Sequence, residues 1–228
     1  MRNKYIYRSR ISEKKIREII RLFSIDIEAS KIAILTNLNR RTISDLLMML
    51  RYRLRELCES ESTSPKGVFE CDESYFGARR VRGVRGRGAR GKTIVFGIYG
   101  RNSKRTYTRV VPNVKSKTLI GIIEEKVPKT SIIYTDGFRS YFPLHRRGYR
   151  FHETVNHGRN EFARLDVHVN GIESFWSFAK TRLAKFRGLK PSLISLHLKE
   201  SEYRFNHRND NLYQLILSNL KNSPLNYP

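Results

Sequence analysis

The sequence predicts an α/β fold, a mixed β-sheet with flanking helices, preceded by a small all-α unit. A change of pattern along the 228 residues indicates this. Apolar residues recur at helical spacing over about the first 60 residues, whereas apolar and aromatic runs with strand-like alternation follow from residue 68. Residues 59–67 contain four serines and threonines and one proline, which predicts a linker. We therefore expect a helical domain at 1–58, an α/β domain at 68–208, and a C-terminal helix and tail at 209–228.

The N-terminal domain is predicted to hold three helices. Ser12 can cap the first, and residues 37–39 make a tight turn before the third, where asparagine tolerates positive φ. A helix, a short turn and a helix that opens on basic and hydroxyl residues form the layout of a helix-turn-helix. A plain three-helix bundle with a charged face is the alternative. The side chains expected to meet DNA at the start of the third helix are Arg40, Arg41, Thr42 and Ser44.

The second domain is predicted to contain five strands and two helices. The strands are expected at residues 68–76, 93–99, 106–111, 131–136 and 149–155, and the helices at 116–127 and 168–187. Three antiparallel strands, a helix, a returning strand and a late helix are the order of a ribonuclease H-like fold. A fold of this kind supports many activities, so the function depends on the residues of the site.

The charge of the chain points to a polyanionic partner. Lysine and arginine number 45 against 21 acids, which gives a formal charge of +24. Nucleic acid is the commonest partner of such a chain, and a solubilising surface or a ribosome-associated protein is the alternative. No apolar run is long enough to cross a membrane, and the basic start has no apolar segment behind it. Cys58 and Cys71 lack a zinc or disulfide spacing, so we expect a reduced intracellular protein, associated with the nucleoid if bacterial and nuclear if eukaryotic.

A basic loop joins the first two strands of the α/β domain. Residues 77–92 hold seven basic residues, five glycines and no acid. Such a segment could follow a phosphate backbone, and an incidental charge on a hairpin tip is the alternative. The basic residues of this loop are Arg79, Arg80, Arg82, Arg85, Arg87, Arg90 and Lys92.

Three acids and a lysine are placed where a metal site could form. Asp72 lies in the first strand, Asp136 ends the fourth, and Glu173 lies early in the late helix. Lys180 follows Glu173 by seven residues, about 20° short of two helical turns, so both can address one site. Alternation places Glu70 on the same face of the strand as Asp72, so spacing alone does not choose between them.

Asp136 and Glu173 each have an alternative role without a metal, but the occurrence of all three acids together favours a metal site. Asp136 could be a turn residue before Gly137, and Glu173 a solvated helix position. Phosphodiester cleavage is served by two divalent cations about 3.5–4 Å apart, and Mg²⁺ or Mn²⁺ prefers carboxylate oxygens. No zinc is expected, because His152 and His157 are five apart where a zinc-protease helix needs four. Three residues are candidates for lining the site, with a structural use as the alternative: His157, His168 and Asn170.

At several motifs the chain resembles DDE transposases of the Merlin type and their bacterial insertion-sequence relatives. The motifs are Cys-Asp-Glu-Ser-Tyr-Phe-Gly at 71–77, the glycine-arginine run at 85–88, Tyr-Thr-Asp at 134–136, Val-Asn-His at 155–157 and His-Val-Asn-Gly-Ile-Glu-Ser-Phe-Trp at 168–176. The resemblance covers about residues 68–208. Many relatives begin with a four-cysteine zinc ribbon, which this chain lacks.

The resemblance implies a role for each residue of the site. Asp72, rather than Glu70 or Glu73, would be the first metal ligand, with Asp136 second and Glu173 third, and Lys180 would contact DNA. It also implies cleavage at terminal inverted repeats and joining of the freed 3′ hydroxyl to target DNA within a homodimer or larger multimer. A nuclease or resolvase that cuts without joining, or a catalytically retired DNA-binding regulator, is the alternative.

Overall fold

The computed structural model describes residues 3–60, 65–77, 92–155, 168–186 and 188–226. The chain divides into two compact units, Met1–Leu57 with His207–Pro228, and Cys58–Asn206. In chain order the elements are β1 (Ile6–Tyr7), α1 (Glu13–Ser24), α2 (Ala29–Thr36), α3 (Arg40–Ser60), β2 (Val68–Phe76), β3 (Thr93–Gly100), β4 (Arg105–Val111), α4 (Ser116–Lys126), β5 (Ile132–Asp136), a 3-10 helix (Arg139–Arg147), β6 (Phe151–Val155), α5 (Asn170–Ala184), α6 (Pro191–Asn206), α7 (Leu212–Asn222) and β7 (Leu225–Asn226).

The first unit is helical apart from a short parallel pairing of β1 with β7. Ser12 caps α1 as expected, because its side chain accepts a hydrogen bond from the backbone N–H of Lys15. Asn37 ends α2 with φ 50° and ψ 45°, the left-handed conformation that the predicted turn requires. Helix α3 begins at Arg40 as predicted and continues to Ser60, so the first two residues of the expected linker are helical. That these helices bind DNA stays a prediction.

The second unit is built around a mixed five-stranded sheet with the strand order β4-β3-β2-β5-β6. Strands β2, β3 and β4 pair antiparallel, whereas β5 is parallel to both β2 and β6. Three antiparallel strands, a helix and a returning parallel strand therefore occur in the predicted order. The α/β class and its ribonuclease H-like arrangement are confirmed.

Each face of the sheet has its own apolar core. One face packs against α4 and the 3-10 helix through residues that include Phe69, Cys71 and Tyr141. The other face packs against α5 and α6 through a second cluster that includes Tyr99 and Trp176. Since side chains alternate along a strand, β2 sends Cys71 to the first core and its neighbours to the α5 face.

Helix α6, which the sequence pattern did not indicate, carries charged residues into the interior. Glu200 is fully buried and pairs with Arg182 and Arg204. Glu202 accepts hydrogen bonds from Lys199 and Thr108. These pairs compensate the cost of burying charge. Among the helices in the described ranges, none combines the length and apolar character needed to span a membrane.

Candidate active site

Asp72 and Asp136 lie side by side on the neighbouring strands β2 and β5. In the parallel pairing of β2 with β5, Cys71 is opposite Thr135, and the two aspartates are the next residue on each strand. Neighbouring strands are about 4.8 Å apart, so the two carboxylates project from adjacent positions on one face of the sheet, where the pairing of β2 with β5 ends. The backbone N–H of Phe138 donates to Asp136 Oδ1 at 3.1 Å, which holds that side chain at the strand end.

Trp176 connects Asp72 to helix α5. Its indole Nε1–H donates to Asp72 Oδ2 at 2.9 Å, and the tryptophan is only 4% exposed. The indole ring has room because the residue of β3 that pairs with Asp72 is Gly97, which has no side chain. A Cβ at Gly97 would lie 2.6 Å from Trp176 Cζ2 and 2.8 Å from Ile172 Cδ1, both shorter than real contacts. The glycine therefore permits α5 to pack directly over Asp72.

Glu173 lies in the first turn of α5 and is exposed. Burial, together with the neighbouring charges of Asp136 and Glu173, raises the pKa of Asp72 to about 6, although hydrogen bonds oppose the rise. The three predicted acids are thus electrostatic neighbours. Lys180 is exposed on α5, seven residues after Glu173.

Glu70 lies on the same face of β2 as Asp72, but its carboxylate is bound by Arg101 and by the start of α5. It is 0% exposed; its Oε1 accepts from Arg101 Nε at 2.6 Å and its Oε2 from the backbone N–H of Ile172 at 2.9 Å. The Arg101 guanidinium also stacks over the Tyr134 ring, 4.4 Å from its centroid. Because Ile172 is in the first turn of α5, Glu70 anchors the start of the helix that carries Glu173.

The predicted lining residues fall in different places. His168 lies with the Glu70 anchor, since its Nδ1 is 3.0 Å from Arg101 Nη2 and its carbonyl oxygen accepts from the same guanidinium. Asn170 is the exposed first residue of α5. His157 is outside the described residues.

The predicted DNA contacts lie on separate segments. Arg40 and Arg41 are exposed at the start of α3, with Thr42 and Ser44 partly buried behind them. Lys92 is partly exposed immediately before β3. The other basic residues of the loop lie outside the described residues: Arg79, Arg80, Arg82, Arg85, Arg87 and Arg90.

Glu73 is a further acid beside Asp72 and Asp136, and the sequence did not indicate it as a site residue. It points to the opposite face of β2 from Asp72, where the Tyr141 hydroxyl donates to its Oε2 at 2.5 Å. Burial, together with the charges of Asp136 and Asp72, raises the pKa of Glu73 to about 7, although the tyrosine hydrogen bond opposes this. Tyr141 belongs to the 3-10 helix, 68 residues away in sequence, so no local pattern could have indicated the contact.

The acids fit a hard divalent cation in their donor chemistry. Within the described ranges, no three histidine, cysteine, aspartate or glutamate side chains converge closely enough to form a complete metal site. Mg²⁺ needs only one or two carboxylates, with water and substrate phosphates supplying its remaining ligands. Asp72 and Asp136 meet that need, and their mutual repulsion with Glu173 is the electrostatic condition that a cation relieves.

Comparison with known proteins identifies related sequences. Residues 66–206 match the ISXO2-like transposase domain family. An uncharacterized transposase-like protein of Haemophilus influenzae is 48% identical over 102 residues, which cover 45% of this chain and 81% of that protein. A protein in transposable element ISH50 of Halobacterium salinarum is 30% identical over 153 residues, 61% of this chain, and the match spans about half (52%) of that relative.

Solved structures give more distant matches. The HTLV-2 integrase catalytic core domain in complex with magnesium matches 68% of this chain and 98% of its own, with 10% identity and a TM-score of 0.41. The catalytic core domain of BIV integrase matches 68% of this chain and 96% of its own, with 13% identity and a TM-score of 0.39.

Proposed function

The chain belongs to the ISXO2-like transposase domain family, and from that premise we propose that it is a DDE transposase that cleaves DNA at element ends and joins the freed 3′ hydroxyl to target DNA. The observation that carries the proposal is the adjacency of Asp72 and Asp136 on paired strands, with Glu173 close enough to raise the pKa of Asp72. Two aspartates on paired strands, with a glutamate of the neighbouring helix close enough to act on one of them electrostatically, suit the metal chemistry of phosphodiester cleavage.

Asp72, Asp136 and Glu173 would hold Mg²⁺ or Mn²⁺. When bound, such cations neutralise charge at the phosphate and support the attacking and leaving oxygens. The protein's own contribution is to fix the carboxylates in advance. The Phe138 N–H holds Asp136, and the Glu70 anchor fixes the start of the helix that bears Glu173.

DNA would be held by positive charge around these acids. The net charge of +24 favours a polyanion without specifying its sequence. Lys180, exposed on α5 beyond Glu173, is our candidate for a phosphate contact beside the acids. The start of α3 and the basic loop at 77–92 are further candidates for DNA contacts. We propose that the protein acts on DNA as a homo-oligomer, because the substrate of a joining reaction includes two element ends.

The test uses labelled DNA that carries the sequences flanking the gene, incubated with the protein and Mg²⁺. Asp72→Asn, Asp136→Asn and Glu173→Gln should each abolish strand cleavage while leaving DNA affinity, measured by gel shift, within about threefold. Glu124→Gln, an exposed acid on α4, is the matched control and should cleave like the natural protein. Cleavage retained by any one of the three variants would remove that residue from the mechanism.

Precut ends supplied with target DNA separate transposition from simple cutting. A transposase joins the 3′ hydroxyl of the precut end to the target. Cleavage without joined product would favour a nuclease or resolvase, and binding without either reaction would favour a DNA-binding regulator.

A further inference from the structure

We propose that Trp176 is a positioning residue of the candidate metal site, whose indole N–H orients the Asp72 carboxylate for cation binding. This inference rests on the proposed function, because it assumes that Asp72 is a metal ligand. Donors to a ligand carboxylate set its orientation, and removing them weakens metal binding without removing a ligand. In the sequence, Trp176 stands only as the last residue of the motif at 168–176.

The hydrogen bond has a geometry that an incidental contact would not need. The Nε1 to Oδ2 distance is 2.9 Å, and the donor is a neutral N–H directed at a carboxylate. Asp72 is partly exposed, whereas Trp176 is 4% exposed, so the donor is buried behind the acid and the acid faces outward. A carboxylate held from behind through one oxygen cannot turn freely about its side-chain bonds.

The indole itself has little freedom to move. The Phe76 ring packs edge-on at 5.9 Å between centroids, and Phe175 is tilted against it at 5.1 Å. On the sheet side the ring occupies the space above Gly97, where even a methyl group would clash. Rigid packing of a donor is what pre-organises the group that it contacts.

Trp176 also joins two of the candidate ligands. It follows Glu173 by three residues on α5, so the two side chains lie on adjoining parts of the helix surface. One turn of α5 thus carries the Glu173 carboxylate and the indole that binds the Asp72 carboxylate. Movement of α5 relative to β2 would therefore change the orientation of Asp72 and the position of Glu173 together.

A tryptophan with a packing role alone can be distinguished from a hydrogen-bond donor by a substitution that removes only the N–H. Trp176 is the single tryptophan among the 228 residues. Replacing tryptophan throughout the protein with β-(3-benzothienyl)alanine, in a tryptophan-requiring host, changes this one position and exchanges the N–H for sulfur. The shape of the ring is kept, so a packing role survives and a donor role is lost. Trp176→Phe is a second variant that retains an aromatic side chain.

The first measurement observes the hydrogen bond without metal. The ¹⁵N-labelled natural protein should give one indole N–H resonance, which should move upfield in Asp72→Ala and stay in place in the control Glu124→Gln. The second measures Mn²⁺ affinity by electron paramagnetic resonance of the free ion. The benzothienyl protein should bind Mn²⁺ about 10- to 100-fold more weakly than the natural protein while its unfolding midpoint is retained.

An unmoved indole resonance in Asp72→Ala would overturn the proposal, as would a benzothienyl protein whose Mn²⁺ affinity is within twofold of natural. A natural protein that binds no Mn²⁺ would overturn it too. Metal binding that depends on the indole N–H, in a protein that neither cleaves nor joins DNA, would uphold the positioning role and refute the proposed function instead.

Discussion

Glu70 and Asp72 stand two residues apart on one face of β2, yet the structure predicts opposite consequences when each loses its charge. Glu70→Gln should destabilise the fold strongly. Glu70 is fully buried, and its two oxygens accept from Arg101 Nε and the Ile172 N–H. A glutamine has only one acceptor oxygen, so its NH₂ group would face one of these donors, and the partly buried guanidinium would lose its counter-charge.

The expected cost for Glu70→Gln is about 3–5 kcal/mol, the usual penalty for breaking a buried ion pair from one side. With a urea dependence of roughly 2 kcal/mol per molar, the unfolding midpoint should fall by about 2 M. Arg101 cannot easily escape to water, because its side chain is 17% exposed and stacks on Tyr134.

Asp72→Asn should not destabilise the metal-free protein. The pKa of Asp72 is raised to about 6 by burial and by Asp136 and Glu173, so the ionised carboxylate opposes folding at neutral pH. The rise from its ordinary value corresponds to an upper bound of roughly 3 kcal/mol, and we expect a gain of about 1–2 kcal/mol. The sign follows because the folded state holds the proton up to about pH 6, so stability due to this group is lost as pH rises from 4 through 6.

The assay is urea unfolding followed by circular dichroism at pH 7.5 in the presence of a chelator. Glu70→Gln should unfold at markedly lower urea than the natural protein, and Asp72→Asn at equal or higher urea. Equal losses in the two variants, or a Glu70→Gln protein within 1 kcal/mol of natural, would refute the division into an anchoring and a site-facing acid.

Three further predictions follow from other contacts. Gly97→Ala should cost about 1–3 kcal/mol, because the new methyl group meets the Trp176 ring and Ile172; denaturation against Gly121→Ala, whose added carbon meets nothing within 4 Å, is the check. Burial, and then the charge of His145, lower the pKa of His152 to about 4, so the natural protein should lose stability as pH falls from about 6.5 toward 4. In His152→Gln the loss between pH 7.5 and 5 should be smaller by about 1 kcal/mol after screening, and an unchanged loss would exclude this group. Replacing three arginines of the basic loop by glutamine should lower the salt slope of DNA binding by about 0.9 per lost phosphate contact, whereas an unchanged slope would exclude the loop from the interface.

The sheet and helix α5 could be predicted because their cores leave a periodic trace in the sequence. Strand-like alternation predicted β2, and the helix that carries Glu173 was predicted at 168–187. Alternation could not separate Glu70 from Asp72, since both point to one face. The distinction is made by Arg101 and Ile172, which are 31 and 102 residues from Glu70.

Helix α6 left no such trace because it lacks a solvent-facing stripe over most of its length. Its residues from Leu196 to Phe205 are all buried, including Lys199, Glu200 and Glu202. Its buried charges are satisfied by ion pairs, some within the helix, as between Lys199 and Glu202, and one with Arg182 of α5. Polarity therefore does not mark the surface here. The Glu73–Tyr141 contact could not be predicted for a different reason: it depends on where the 3-10 helix packs, 68 residues away along the chain.

The most direct test of the central claim is joining of a precut DNA end to target DNA in Mg²⁺, compared between the natural protein and Asp136→Asn. Asp136 is the better choice for this test because its carboxylate lies at a strand end, where an amide can still accept from the Phe138 N–H. A chain with transposase chemistry at the paired aspartates gives joined product with the natural protein and none with Asp136→Asn, at equal DNA occupancy. Joined product of equal yield from both proteins would contradict that claim.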